Sequence, residues 1–152
     1  HFENHYTNIE LAYYVGNYDI AKFILERVSN PRLINMECDD YSVLGMAVNS
    51  KEYRFVELFL SYGGDPDAFL EYQNEGFYKK TSYIQFAIEE NDLKLLKLLI
   101  ENGGDINQDI EIFTTEYSSD ILRIIHPLDL ATEYGNKEII NYIISKGGEK
   151  FQ

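Results

Sequence analysis

The chain of 152 residues has no tryptophan, one cysteine, three histidines and three prolines. Each shortage removes a class of protein. Cys38 alone allows no internal disulfide and no multi-cysteine metal site. His1 and His5 lie near a terminus and His126 stands far from both, so no histidine set suggests a metal centre or a nucleophile with its base. No apolar run reaches the roughly 18 residues that a membrane helix requires. No leader segment is legible, and with the lone cysteine this leads us to expect a cytoplasmic location. Basic residues are scarce as well, at 13 against 26 acidic ones, for a net charge of -13. Such a chain repels phosphate backbones and anionic head groups, so neither nucleic acid nor membrane is expected as a partner.

What the chain does have is internal repetition. Four stretches align on one alanine, at Ala12, Ala47, Ala87 and Ala131. Eight residues later come Ile20, Phe55, Leu95 and Ile139, and one residue further Ala21, Val56, Leu96 and Ile140. Twelve and thirteen residues after the alanine come Ile24-Leu25, Phe59-Leu60, Leu99-Ile100 and Ile143-Ile144. Offsets of one, three and four residues define one wide apolar helix face. Sixteen residues after the alanine, three copies carry a glycine pair beginning at Gly63, Gly103 and Gly147, where a glycine can end a helix in the left-handed conformation.

The copies therefore read as helix, turn, helix, stop, over about 7–35, 41–67, 81–107 and 125–150, within one domain covering 1–152. Thr7, Ser42 and either Thr81 or Ser82 are the expected N-caps. Gly16-Asn17 and Gly135-Asn136 make the central turns, and Lys51-Glu52 stand where the second copy lacks a glycine. Pro31 breaks the helix after the first copy, making 29–35 a link. The stretch 68–80 suggests a hairpin with Phe69, Tyr72, Phe77 and Tyr78 paired across it. The stretch 108–125 is the longest link, with a short strand over 110–113.

Catalytic signatures are missing from this pattern. The glycine pairs follow helices instead of preceding them, so they are not phosphate-cradling loops. Asp65-Pro66-Asp67 lacks the spacing of a calcium loop. Glu89, Glu90 and Asp92 read as a solvated helix end, and His126 as a structural cap. No enzyme activity, metal or cofactor is expected.

The four copies resemble ankyrin repeats, units of two helices and 33 residues with a T-P-L-H-x-A start. HPLDLA at 126–131 lies nearest to that start, and SVLGMA, SYIQFA and TNIELA keep its capping and apolar positions. YGGDPD and NGGDIN resemble the family's repeat-ending turn. The spacing departs from the family, since the reference alanines lie 35, 40 and 44 residues apart. The extra residues follow the glycine turn, where the family places projecting hairpin fingers. The resemblance implies an all-α fold, a helix-turn-helix solenoid with extended β-hairpin-like finger loops. It also implies a concave surface of first helices and fingers that holds proteins.

Carried over by position, the first-helix residues facing that surface are Tyr14 and Val15, Asn49 and Ser50, Glu89 and Glu90, and Glu133 and Tyr134. The finger residues are Asp39, Asp40 and Tyr41, then Glu71, Tyr72, Glu75 and Tyr78, then Asp109, Glu111, Glu116 and Tyr117. The three links hold twelve of the 26 acids, whereas Lys79, Lys80 and Arg123 sit at the finger bases. An acidic surface interleaved with tyrosine suits a basic protein partner, steered by charge and held by aromatic rings. The expected function is that of a protein-binding module, monomeric when free, of the kind that serves as an immunity or inhibitor protein against a basic toxin. The alternative is an adaptor or scaffold piece of a longer repeat protein whose charge serves solubility.

Overall fold

The computed structural model describes residues 7–38, 41–74, 77–113 and 121–152. The chain divides into two compact units, His1–Asp65 and Pro66–Gln152. The first holds α1 (Asn8–Tyr14), α2 (Tyr18–Arg27), the single turn α3 (Arg32–Asn35), β1 (Glu37–Cys38), β2 (Tyr41–Ser42), α4 (Val43–Asn49) and α5 (Tyr53–Ser61). The second holds β3 (Phe69–Asn74), β4 (Phe77–Ser82), α6 (Tyr83–Glu89), α7 (Leu93–Glu101), β5 (Ile110–Phe113), β6 (Ile121–Ile125), α8 (Pro127–Tyr134) and α9 (Lys137–Ser145). Each copy thus contributes a pair of short helices, and within the units α1 packs on α4 and α6 on α8.

Helix starts follow local side-chain chemistry. Thr7 forms a capping box with Glu10. The Ser42 and Ser82 hydroxyls accept from the Gly45 and Gln85 amides at 3.0 and 3.1 Å. Thr81 is therefore not the cap; it lies in β4 opposite Leu70. At the fourth copy Pro127 occupies the first turn, where its missing N–H costs nothing. There the Asp129 carboxylate accepts from the His126 backbone N–H at 3.1 Å. The turn between paired helices needs a left-handed residue four places after the reference alanine. Gly16 (φ 68°) and Gly135 (φ 73°) supply it without strain, while Lys51 and Asn91 are held there at φ 55°.

The reference alanines are all buried, as are Phe59, Leu99 and Ile143 twelve residues on. The second glycine of each pair is dictated by space. A Cβ on Gly64, Gly104 or Gly148 would lie 2.9 Å from the carbonyl oxygen of Phe59, Leu99 or Ile143 respectively.

Side chains also tie one turn to the next. Asn35 donates from its carboxamide to the Gly63 carbonyl (3.0 Å) and accepts from the Asp65 amide (2.8 Å). Asn107 does the same forty residues on, donating to the Gly147 carbonyl (3.2 Å) and accepting from the Glu149 amide (2.7 Å). Asp67, which has no donor, accepts from the Asp105 amide (2.8 Å) and from Gln108 (3.1 Å).

Among the described residues, three antiparallel strand pairs follow these turns. β1 and β2 are two residues each, β3 and β4 six each, β5 four and β6 five, so the second and third hairpins are the enlarged ones. Two elements depart from the sequence reading. Pro31 starts the turn α3 instead of opening a plain link, because its fixed φ suits a helix start. Residues 121–125 form a second strand opposite 110–113, with a register shift near Phe113. Across 68–80 the backbone register sets Phe69 opposite Ser82, Tyr72 opposite Lys79, Tyr78 opposite Gln73 and Phe77 opposite Asn74; the side chains of 72–78, on which the expected ring pairing falls, lie outside the described residues.

Two substitutions test this packing in one urea-denaturation series. Leu99→Ala is expected to lower stability by about 2–5 kcal/mol through the cavity it leaves. Thr81→Val is expected to be neutral or stabilising, because the Thr81 hydroxyl is buried without a hydrogen-bond partner among the described residues. A Leu99→Ala midpoint equal to the parent's contradicts the core assignment.

Candidate functional site

The C-terminal unit brings several of the expected residues together on its hairpin side. β3 and β4 place Glu71 directly across from Lys80, and their charged ends lie 3.2 Å apart. The Lys80 ammonium also stands 4.4 Å from the centre of the Phe69 ring, a cation–π contact. Lys79 reaches Glu89 at 3.7 Å, and Glu89 accepts from the Gln85 carboxamide at 2.8 Å. β6 supplies Arg123, whose guanidinium grips Glu133 of α8 through two bonds of 2.6 and 2.7 Å. That grip raises the Arg123 pKa above its ordinary value, mainly through the hydrogen bond and next through charge.

Glu89, Glu133 and Tyr134 gather at the C-terminal ends of α6 and α8. Partial burial pushes the Tyr134 phenol up, and the charges of Glu89 and then Glu133 push it further. Glu90 is exposed at the C-cap of α6. β5 opens just after Asp109, and the two-residue period puts Asp109 and Glu111 on the face opposite the buried Ile110. Asp109 lies 3.5 Å from Nε2 of His126, and the same ring turns its Nδ1 to the Glu149 carbonyl at 3.1 Å. Between the two long hairpins runs a cleft of about 200 Å³ lined by Phe69, Lys80, Ser82, Gln85, Asp109, Ile110 and Glu111.

The N-terminal unit carries its own set. Asn49 ends α4 and Ser50 caps it, both exposed, while Tyr41 is half-buried in β2. Tyr13, Tyr14 and Tyr18 of the first copy line a groove with Ser50, Glu52, Arg54 and Phe55 of the second. The Arg54 guanidinium lies 3.8 Å from the Tyr18 ring centre. Burial pushes the Tyr13 phenol up, the Ser50 hydrogen bond works against this, and Glu52 adds to it.

Asp39, Asp40, Glu75, Glu116 and Tyr117 lie outside the described residues; Tyr72 and Tyr78 are placed by backbone register alone. Three acids expected to project charge are instead matched with cations: Glu71 with Lys80, Glu89 with Lys79, and Glu133 with Arg123. Reading acids and bases separately along the chain misses this, because partners come from opposite strands or from a strand and a helix. Exposed pairs of this kind contribute little stability, but they orient the side chains. Phe69, Lys80 and Gln85 were not singled out as site residues and line the cleft; only the alternation along β3 and β4 hinted at it. Among the described residues no group of three or more His, Cys, Asp or Glu is placed to hold a metal ion. No described helix is long and apolar enough to cross a membrane.

A raised tyrosine pKa means that the folded state favours the neutral phenol. The stability it contributes is present below the ordinary tyrosine range near pH ~10 and is lost as pH rises through the folded value. In an alkaline titration followed by phenolate absorbance, Tyr13→Phe is expected to remove one late-ionising phenol. An unchanged late fraction contradicts the burial of Tyr13.

No protein-family model matches the chain. The chain is similar to a fowlpox virus (strain NVSL) protein named "Putative ankyrin repeat protein FPV014", with 29% identity over 132 residues. The similarity covers 87% of this chain and 26% of that protein, so the chain spans about a quarter of the length of the curated relative that it matches. Short paired helices joined by small antiparallel hairpins are compatible with an ankyrin-like helical fold.

Proposed function

We propose that the chain is a protein-binding module that takes a basic protein on the hairpin side of its C-terminal unit. The observation that carries this reading is the cleft between the two long hairpins, where exposed Asp109 and Glu111 stand beside the Phe69 ring. In the same unit the acids Glu71, Glu89 and Glu133 each already hold a lysine or arginine. A surface that binds its own cations with carboxylates can exchange them for those of a partner, and the net charge of -13 favours the encounter. Similarity to an ankyrin repeat protein supports protein binding over catalysis.

By their place in the sequence, Tyr72, Glu75, Tyr78, Glu116 and Tyr117 belong to the same hairpins, and Glu90 and Tyr134 to the adjoining helix ends. Asp39, Asp40, Tyr41, Asn49 and Ser50 are the corresponding positions of the N-terminal unit. Masking of a basic toxin is one form such binding would take, and the net charge of -13 is the feature that motivates it. A second reading, an adaptor segment within a longer repeat protein, is favoured by the fraction of the relative that the chain spans.

The test is capture of partners on the immobilised chain, in parallel with a variant carrying Asp109→Lys and Glu111→Lys. The expected result is a basic protein released by salt and not retained by the variant. Recovery of neutral or acidic partners, insensitive to salt and to the two substitutions, contradicts the proposal.

A further inference from the structure

The first helix pair exposes apolar side chains at positions that every later copy covers more fully. Leu11, Ile20 and Phe23 are 47%, 50% and 53% exposed. They stand one residue before, eight after and eleven after the reference alanine. The eight-residue position is Phe55, Leu95 and Ile139 in the later copies, and all three are buried, at 7%, 0% and 0%. The position before the alanine is Met46, Phe86 and Leu130, and the eleven-residue position is Leu58, Leu98 and Tyr142; each is buried or half-buried. Val15 is not diagnostic, because its counterparts Ser50, Glu90 and Tyr134 are exposed too.

Contacts within each unit identify what covers these positions. Phe55 meets the Tyr13 and Tyr18 rings at 5.2 and 5.8 Å, so the preceding copy covers it. Two ammonium groups stand 5.6 Å from the Tyr142 ring centre: Lys146 of its own helix and Lys97 of the preceding copy. Phe23 repeats half of that arrangement. Arg27, the counterpart of Lys146, lies 3.5 Å from its ring centre, and among the described residues no counterpart of Lys97 is placed against the half-exposed ring.

We propose that Leu11, Ile20 and Phe23 form a docking face for one further helix-turn-helix copy, stacked on the N-terminal side of the first. The face continues the interface by which the first copy covers the second. The incoming unit places the ends of its two helices over Ile20, as Tyr13 and Tyr18 do over Phe55, and a side chain from its second helix over Phe23. The similar fowlpox protein, about four times the length of the matched region, fits an array longer than four copies. This inference is independent of the basic partner and of the hairpin side.

The test adds such a copy to the full chain. Residues 7–41 are duplicated directly ahead of Thr7, which reproduces the 35-residue spacing between Ala12 and Ala47. Thermal unfolding is compared for the chain, the extended chain, and each of these with Ile20→Lys and Phe23→Glu in the original first copy. The expected result is one cooperative transition, raised by more than about 4 °C in the extended chain. The substitutions are expected to abolish that gain and to move the unextended chain by less than about 2 °C. An extended chain with no gain, or a gain that survives both substitutions, overturns the proposal. A parent chain that sediments as a dimer dissociated by the two substitutions also overturns it, since a second copy of the chain then owns the face.

Discussion

The backbone-to-side-chain clamp between successive turns is the constraint on which the rest of the structure depends. Asn35, Asp67 and Asn107 each reach from the end of one helix pair to an amide in the next turn, 30, 38 and 42 residues on. The N-caps Ser42 and Ser82 lie 25 residues before the clamps Asp67 and Asn107. The first copy needs 28 residues, because α3 is inserted after Pro31. From clamp to the next cap the distance varies freely, at 7, 15 and 19 residues. The helix pair is therefore a frame of fixed length, and added residues can only leave it as hairpins. Each such hydrogen bond is worth about 1 kcal/mol. Their larger consequence is register, since a shifted turn would leave buried helix faces unmatched.

The frame was legible in the sequence because its causes are local. Apolar residues at helical spacing, Ser and Thr at helix starts, and glycine at left-handed positions all act within a few residues of their effect. The clamps were not legible, because Asn35 and Asn107 read as ordinary turn residues and their partners are backbone atoms that no side-chain pattern reports. The strand over 121–125 was hidden for a similar reason, since its five residues have no clean alternation and four of them are exposed. The candidate site was legible in composition and not in pairing. Carboxylates were read as a free negative surface, whereas Lys79, Lys80 and Arg123 neutralise three of them from strand positions that only the register defines.

That pairing changes the physical picture of recognition. A surface of unmatched carboxylates would bind cations mainly by long-range attraction, which salt screens over about 10 Å. On the proposed reading, a surface of matched pairs would bind by exchange, so that orientation and desolvation would decide which partner fits. Glu133, gripped by two hydrogen bonds, is held in place more firmly than Glu71 or Glu89, each of which meets a flexible lysine. On the proposed reading, Asp109 and Glu111 would supply the attraction and the matched pairs the shape.

Shortening a hairpin inside its clamp and cap tests the division between frame and hairpin most directly. Residues 72–79 are replaced by Asn-Gly, a pair suited to closing a two-residue hairpin between Glu71 and Lys80. Far-ultraviolet circular dichroism then follows thermal unfolding. The account predicts one cooperative transition within about 4 °C of the parent, because Leu70, Thr81 and the Asp67 clamp remain. Loss of cooperativity, or a midpoint lowered by more than about 10 °C, would contradict it by making the long hairpin part of the frame.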